Sequence, residues 1–109
     1  MYINYESKAE EARDKAICII SIMNRVIRMA KAMNDPDSST QCWLDLRTYY
    51  NYDTVEFEVL KGTEDEGWYK KMYFIWKCWM NGHYDHLYNG EYNFADEMTY
   101  EEIDDQVRK

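Results

Sequence analysis

Residues Trp68 to Met80, WYKKMYFIWKCWM, constrain the fold more than any other stretch, because they hold three of the four Trp residues of the chain. At helical spacing Trp68, Met72, Ile75, Trp76 and Trp79 form one continuous face, with Lys70, Lys71 and Lys77 off it. Thr63-Glu64-Asp65-Glu66 reads as a capping box: the Thr63 hydroxyl accepts from the Glu66 amide and the Glu66 carboxylate reaches back. Its acids also suit the positive end of a helix dipole. Asn81-Gly82 is a stop, since both residues tolerate the left-handed conformation that ends helices. A buried strand competes, because Tyr, Phe, Ile and Trp favour strands, but the caps and the length select a helix over 63–81. Tyr69, Tyr73 and Phe74 widen its apolar surface, so it must be covered on several sides, by its own domain or by a partner.

The rest of the chain supplies the covering elements. Ser7-Lys8-Ala9-Glu10 is a second capping box. From there Ala12, Ala16, Ile19, Ile20, Met23, Val26, Ile27 and Ala30 keep helical spacing, a helix within 1–35 that Asn34-Asp35-Pro36 ends. From Cys42 the period changes to two. Cys42, Leu44, Leu46, Thr48 and Tyr50 alternate with Trp43, Asp45, Arg47 and Tyr49, and Val55, Phe57 and Val59 alternate with Glu56 and Glu58. With Asn51-Tyr52-Asp53-Thr54 as the turn, 41–60 reads as a β-hairpin, with Arg47 paired across it to Glu56 or Glu58. Glu91 to Met98 reads as loop with some extended structure, pinned by Tyr92 and Phe94. Thr99-Tyr100-Glu101-Glu102 is a third capping box, opening a terminal helix over 99–108 with Tyr100, Ile103 and Val107 inward. The expected fold is a single α+β domain over 1–109: long helix, β-hairpin, aromatic helix, short helix. The hairpin edges are free to pair with a second copy, giving a homodimer.

Charge narrows the function classes. The formal net charge is −8, and residues 1–47 hold seven acids against seven bases, so the whole surplus lies in 48–109. From Asp85 to Lys109 eight acids face only Arg108 and Lys109. That argues against direct nucleic-acid binding, which needs Lys and Arg on phosphates, and against an anionic membrane surface. No run spans a bilayer, the start MYINYESKAEE lacks a signal-peptide pattern, and three irregularly spaced Cys suit a reducing, cytoplasmic compartment. No phosphate loop, dinucleotide turn or nucleophile elbow occurs, so no cofactor is expected and the chain reads as non-enzymatic. Cys78, His83, Asp85 and His86 alone combine metal-ligand chemistry, at a spacing that fits no zinc module; a buried thiol and two exposed histidines at a helix end account for them better. A metal or thiol enzyme at Cys78, His83 and His86 is one alternative. Self-association through the Trp helix, Ile17 and Ile22 is another.

The acidic half reads either as a solvated face or as a surface for a basic groove. On the second reading the partner-binding residues are Asp85, Glu91, Asp96, Glu97, Glu101, Glu102, Asp104 and Asp105, with Tyr88 and Tyr92 as amphipathic anchors among Tyr84, Tyr88, Tyr92 and Tyr100. Tyr49, Tyr50 and Tyr52 make a further patch. In its order of elements and its acidic, Tyr-rich second half, the chain resembles the small inhibitors that phages and mobile elements make against bacterial defence, the anti-CRISPR proteins. The resemblance implies a non-catalytic inhibitor, cytoplasmic in a bacterial host. Its partner would be a protein with a basic surface, such as a nucleic-acid-binding nuclease.

Overall fold

The computed structural model describes residues 7–51 and 53–109. In order these are α1 (Lys8–Ala32), α2 (Pro36–Tyr50), a first 3₁₀ segment (Thr54–Leu60), α3 (Glu66–Asn81), α4 (Tyr84–Tyr88), a second 3₁₀ segment (Glu91–Glu97) and α5 (Tyr100–Arg108). Among the described residues there is no strand, so the α+β class and the hairpin over 41–60 are overturned: the protein is all-helical.

The reason lies at Pro36. It does follow the end of α1, but it also occupies the first turn of α2, where a missing N–H costs nothing and the fixed φ suits a helix. Ser39, Trp43, Leu46 and Tyr50 then recur at helical spacing; the first three are buried and Tyr50 is half-buried. The alternation from Cys42 coincides with this stripe but puts Trp43 on the wrong side: it is fully buried, whereas Leu44 and Tyr49 are exposed. Asn51, at φ 48°, ends α2 in the left-handed region. Asp53 then accepts from the Val55 N–H at 2.8 Å and starts the first 3₁₀ segment. There the i, i+3 pair Phe57 and Leu60 is buried, while Val55 and Val59, inward in the hairpin reading, are exposed. The expected Arg47 pairing is also replaced. Lys15 of α1 pairs with Glu56 at 2.7 Å, and the Arg47 guanidinium stacks 3.9 Å from the centre of the Trp79 ring.

Helix α1 begins as the sequence indicates, with the Ser7 hydroxyl accepting from the Glu10 N–H at 3.2 Å. A short connection through Asn34 (φ 54°) turns the chain so that α2 packs on α1. Helix α3 starts later than its capping box. Thr63 instead accepts from the Asp65 N–H and donates to the Leu60 carbonyl, while Glu66 accepts from the Gly62 N–H. Met72, Phe74, Ile75, Cys78 and Tyr69 form its buried side, and Trp68, Trp76 and Trp79 lie half-buried at the margins. Large indoles are seldom wholly covered in a small domain. Helix α3 touches α1, α4, α5 and both 3₁₀ segments, so the aromatic helix is the central element. The molecule measures 42 × 37 × 20 Å. At about 10–12 Å per helix, the short dimension is two helices deep.

The stretch after Gly90 is the second 3₁₀ segment instead of loop. Tyr92 and Ala95, three apart, are buried and Phe94 is exposed, so Phe94 pins nothing. Gly67, in the first turn of α3, lets this segment approach: a Cβ there would lie 2.9 Å from the Asp96 Cβ. The Thr99 capping box forms in full, and α5 buries Ile103 and Val107. Tyr52 of the tyrosine patch, and the first six residues of the 1–35 range, lie outside the described residues.

Candidate partner-binding surface

Two hydrogen bonds and a shared hollow fix how α5 lies. The Tyr100 hydroxyl donates to Glu66 at the start of α3 at 2.5 Å. Further along, the Tyr73 hydroxyl donates to Asp104 at 2.7 Å. Lys109 then shares a concavity with Gly82 and His83, just past the end of α3. Helix α5 therefore runs parallel to α3. The second 3₁₀ segment lies on α3 in the opposite sense, with Asp96 at Gly67, and Gln106 of α5 donates to Glu91 at its start at 2.8 Å. The acidic part of the chain is thus strung along one flank of the central helix.

Not every acid on that flank is available. Asp104 is half-buried and engaged by Tyr73, with the Lys77 ammonium 3.9 Å away. Glu91 is half-buried between Gln106 and His86, whose Nδ1 lies 2.5 Å from the other carboxylate oxygen. Glu102 is exposed but closes the capping box on the Thr99 N–H at 3.0 Å. Asp85, Asp96, Glu97, Glu101 and Asp105 are exposed and have no ion pair among the described residues. Two adjoining hollows organise one end. Gly82, His83, Tyr84, Asp85, His86 and Lys109 line a hollow of about 220 Å³, and Met98, Glu102, Asp105, Gln106 and Lys109 line another of about 250 Å³. Asp96 and Glu97 belong to the opposite end of α3.

The two tyrosines named as contacts fare differently. Tyr88 is half-buried at the surface, with the Lys31 ammonium 5.9 Å from its ring centre. Tyr92 is fully buried and its hydroxyl donates to Asn24 at 2.9 Å, so it is a core residue and no partner contact. Burial first, and then a nearby thiol, push its phenol up.

A tyrosine cluster that sequence reading did not anticipate lies beneath α5. The rings of Tyr69, Tyr73 and Tyr100 stand 5.6–6.0 Å apart, with Lys61, Lys70 and Lys77 ammonium groups 5.1–5.8 Å from ring centres. Burial, then the hydrogen bond to Asp104, push the Tyr73 phenol up to about 12. Burial, then Glu66, push Tyr100 up as well. The Tyr100 hydroxyl, then the Gly62 N–H, hold the Glu66 carboxyl below its ordinary value. Spacing could have paired Glu66 with Lys70 four residues on; its link to Tyr100, 34 residues away, has no local signal.

The thiol and metal alternative meets a different environment. Cys78 is fully buried, and burial followed by the Glu91 charge pushes its thiol up to about 12. The His83 and His86 rings are 5.9 Å apart, and His86 is held by Glu91. Among the described residues no three His, Cys, Asp or Glu side chains are grouped to hold a metal ion. For self-association, Trp68, Trp76, Trp79, Ile17 and Ile22 are all half-buried, whereas Met29, Met33 and Tyr49 stand out from α1 and α2. Tyr49 also lines a groove of about 510 Å³ together with Val26, Cys42 and Leu46. Among the described residues no helix is long and apolar enough to cross a membrane. No family model matches the chain, and no curated protein or solved structure matches it significantly.

Proposed function

We propose that the protein is a non-enzymatic acidic inhibitor that occupies a basic surface of a nucleic-acid-processing enzyme, such as a CRISPR effector nuclease. The observation that carries this reading is the row of outward carboxylates along α5 and α4, Glu101, Asp105 and Asp85, where Lys109 is the base shared by the two hollows. Two of these acids ride on one helix whose inner face is fixed by Ile103 and Val107, so they are presented on a rigid element. Carboxylates held in a row substitute for phosphates, and complementary charge speeds association with a basic groove. Asp96, beside Gly67, and Glu97 add carboxylates near the start of α3.

The test is a DNA-cleavage assay with guide-loaded effector nucleases, paired with a binding measurement at several salt concentrations. Inhibition is expected to weaken steeply as salt rises, and E101K/D105K to lower affinity by at least about tenfold, because rim charges act through long-range attraction. A complex indifferent to both changes would refute the electrostatic surface.

The groove between α1 and α2 favours a second reading, a self-associating protein joined through Met29, Met33 and Tyr49. Light scattering separates the two. A dimer that persists at high salt and dissociates on M29K/M33K supports the second reading.

A further inference from the structure

We propose that the cleft between the C-terminal half of α1 and the junction of α4 with the second 3₁₀ segment binds a small phosphorylated anion. Its volume is about 410 Å³, and its lining is Asn24, Ile27, Arg28 and Lys31 on one wall and Asn89, Gly90 and Asn93 on the other. No carboxylate lines it. In a chain of net charge −8, this is a concave place where two cations and three side-chain amides meet.

The fold builds the cleft from two independent patterns. Asn24, Arg28 and Lys31 follow at i, i+4 and i+7, so α1 presents them as one stripe. Opposite them Gly90, at φ 71°, turns the chain, and a Cβ on it would come 3.1 Å from the Asn93 amide nitrogen. Glycine therefore keeps that wall narrow.

The Asn93 amide nitrogen already donates to the Gly90 carbonyl at 2.9 Å, but the donors of the α1 wall are left available. Arg28 has no ion pair among the described residues. Among the described residues Lys31 reaches only the Asn89 carbonyl, at 3.5 Å, and the face of Tyr88. Asn24 is fixed from below: its side-chain oxygen accepts from the buried Tyr92 hydroxyl, which leaves its amide nitrogen as a donor. A guanidinium fork, an ammonium and amide donors together suit a tetrahedral dianion, since charge-assisted bonds from a fork and a point charge reach different oxygens. The volume lies within the usual range for small-molecule sites and exceeds what bare phosphate fills, so the ligand class is a phosphate ester of nucleotide or sugar-phosphate size. This site shares no residue with the acidic flank and does not depend on it.

The experiment uses the full chain, isotope-labelled for NMR and titrated with inorganic phosphate and with AMP, ionic strength being held constant with chloride. Saturable shifts are expected at Asn24, Arg28, Lys31 and Asn89 to Asn93, with AMP binding more tightly than phosphate. R28Q/K31Q should weaken both by at least about tenfold, and N24D, which puts a carboxylate in the cleft, should abolish them. R25Q removes a cation from the same helix outside the cleft and should change neither. Shifts that match the chloride control refute the proposal, as does an equal loss in R25Q and R28Q. Tight binding of an oligonucleotide without binding of phosphate or AMP refutes it too, because the cleft would then be part of a nucleic-acid track.

Discussion

Three thiols in this chain occupy three environments. Cys18 is exposed, with its sulfur 3.1 Å from the Tyr50 hydroxyl; Cys42 is half-buried, and burial, then Asp45, push its thiol up; Cys78 is fully buried with its thiol pushed up to about 12. The thiolate is the reactive form. With a disulfide reagent at pH 8, Cys18 should therefore react first, Cys42 more slowly, and Cys78 only after denaturation, as peptide mapping of the labelled protein would show. Fast native labelling of Cys78 would mean that the inner side of α3 opens. The phenols make a second prediction. A free phenol ionises near about 10, and the folded protein raises Tyr73 to about 12 and raises Tyr100 also. Because the folded values are raised, the stabilisation is complete below about pH 10 and is lost as pH climbs through the folded values. Absorbance at 295 nm should show a late-ionising class that Y73F and Y100F each reduce, and helix content should fall together with that class.

Between elements, Gly67 decides how close the second 3₁₀ segment comes to α3. Glycine to alanine in a helix ordinarily stabilises by about 0.4–1 kcal/mol. Here the new Cβ would meet the Asp96 Cβ at 2.9 Å, an atom fixed to backbone. G67A should therefore destabilise, by about 1–3 kcal/mol as overpacking does, seen as a lower urea midpoint at unchanged slope. Adding D96G should recover part of the loss. No local pattern in the sequence announces this contact, although α3 itself is plain in the spacing of Met72, Ile75 and Trp76. Caps at Ser7 and Thr99 were equally legible, because each acts within three residues. Helix α2 was not, because nine residues from Cys42 satisfy a period of two while Ser39, Trp43, Leu46 and Tyr50 satisfy helical spacing, and only burial chooses between them. Of the candidate surface, the exposure of Glu101 and Asp105 follows from α5 facing inward at Ile103 and Val107. The engagement of Glu91, Asp104 and Tyr92 depends on partners 15 to 68 residues away, which no local pattern records.

The whole molecule is two helices deep, so each large buried side chain serves a substantial part of the core. Trp43 is the only one of the four Trp residues that is fully covered. W43A should cost about 3–5 kcal/mol, a large share of the roughly 5–15 kcal/mol typical of a domain, and calorimetry should record a markedly lower melting temperature. The slab also separates two kinds of charge: cations of α1 line the cleft beside Asn89, and carboxylates of α5 line the far flank of α3. Helix α3 also carries Trp79, with the Arg47 guanidinium of α2 against its ring. An indole facing a cation at that distance emits differently from one facing water or hydrocarbon. Lys71 faces the Trp68 ring in a similar way, so the Trp79 share of the emission, taken as the difference from W79F, is a fluorescent gauge of whether Arg47 of α2 stays against α3.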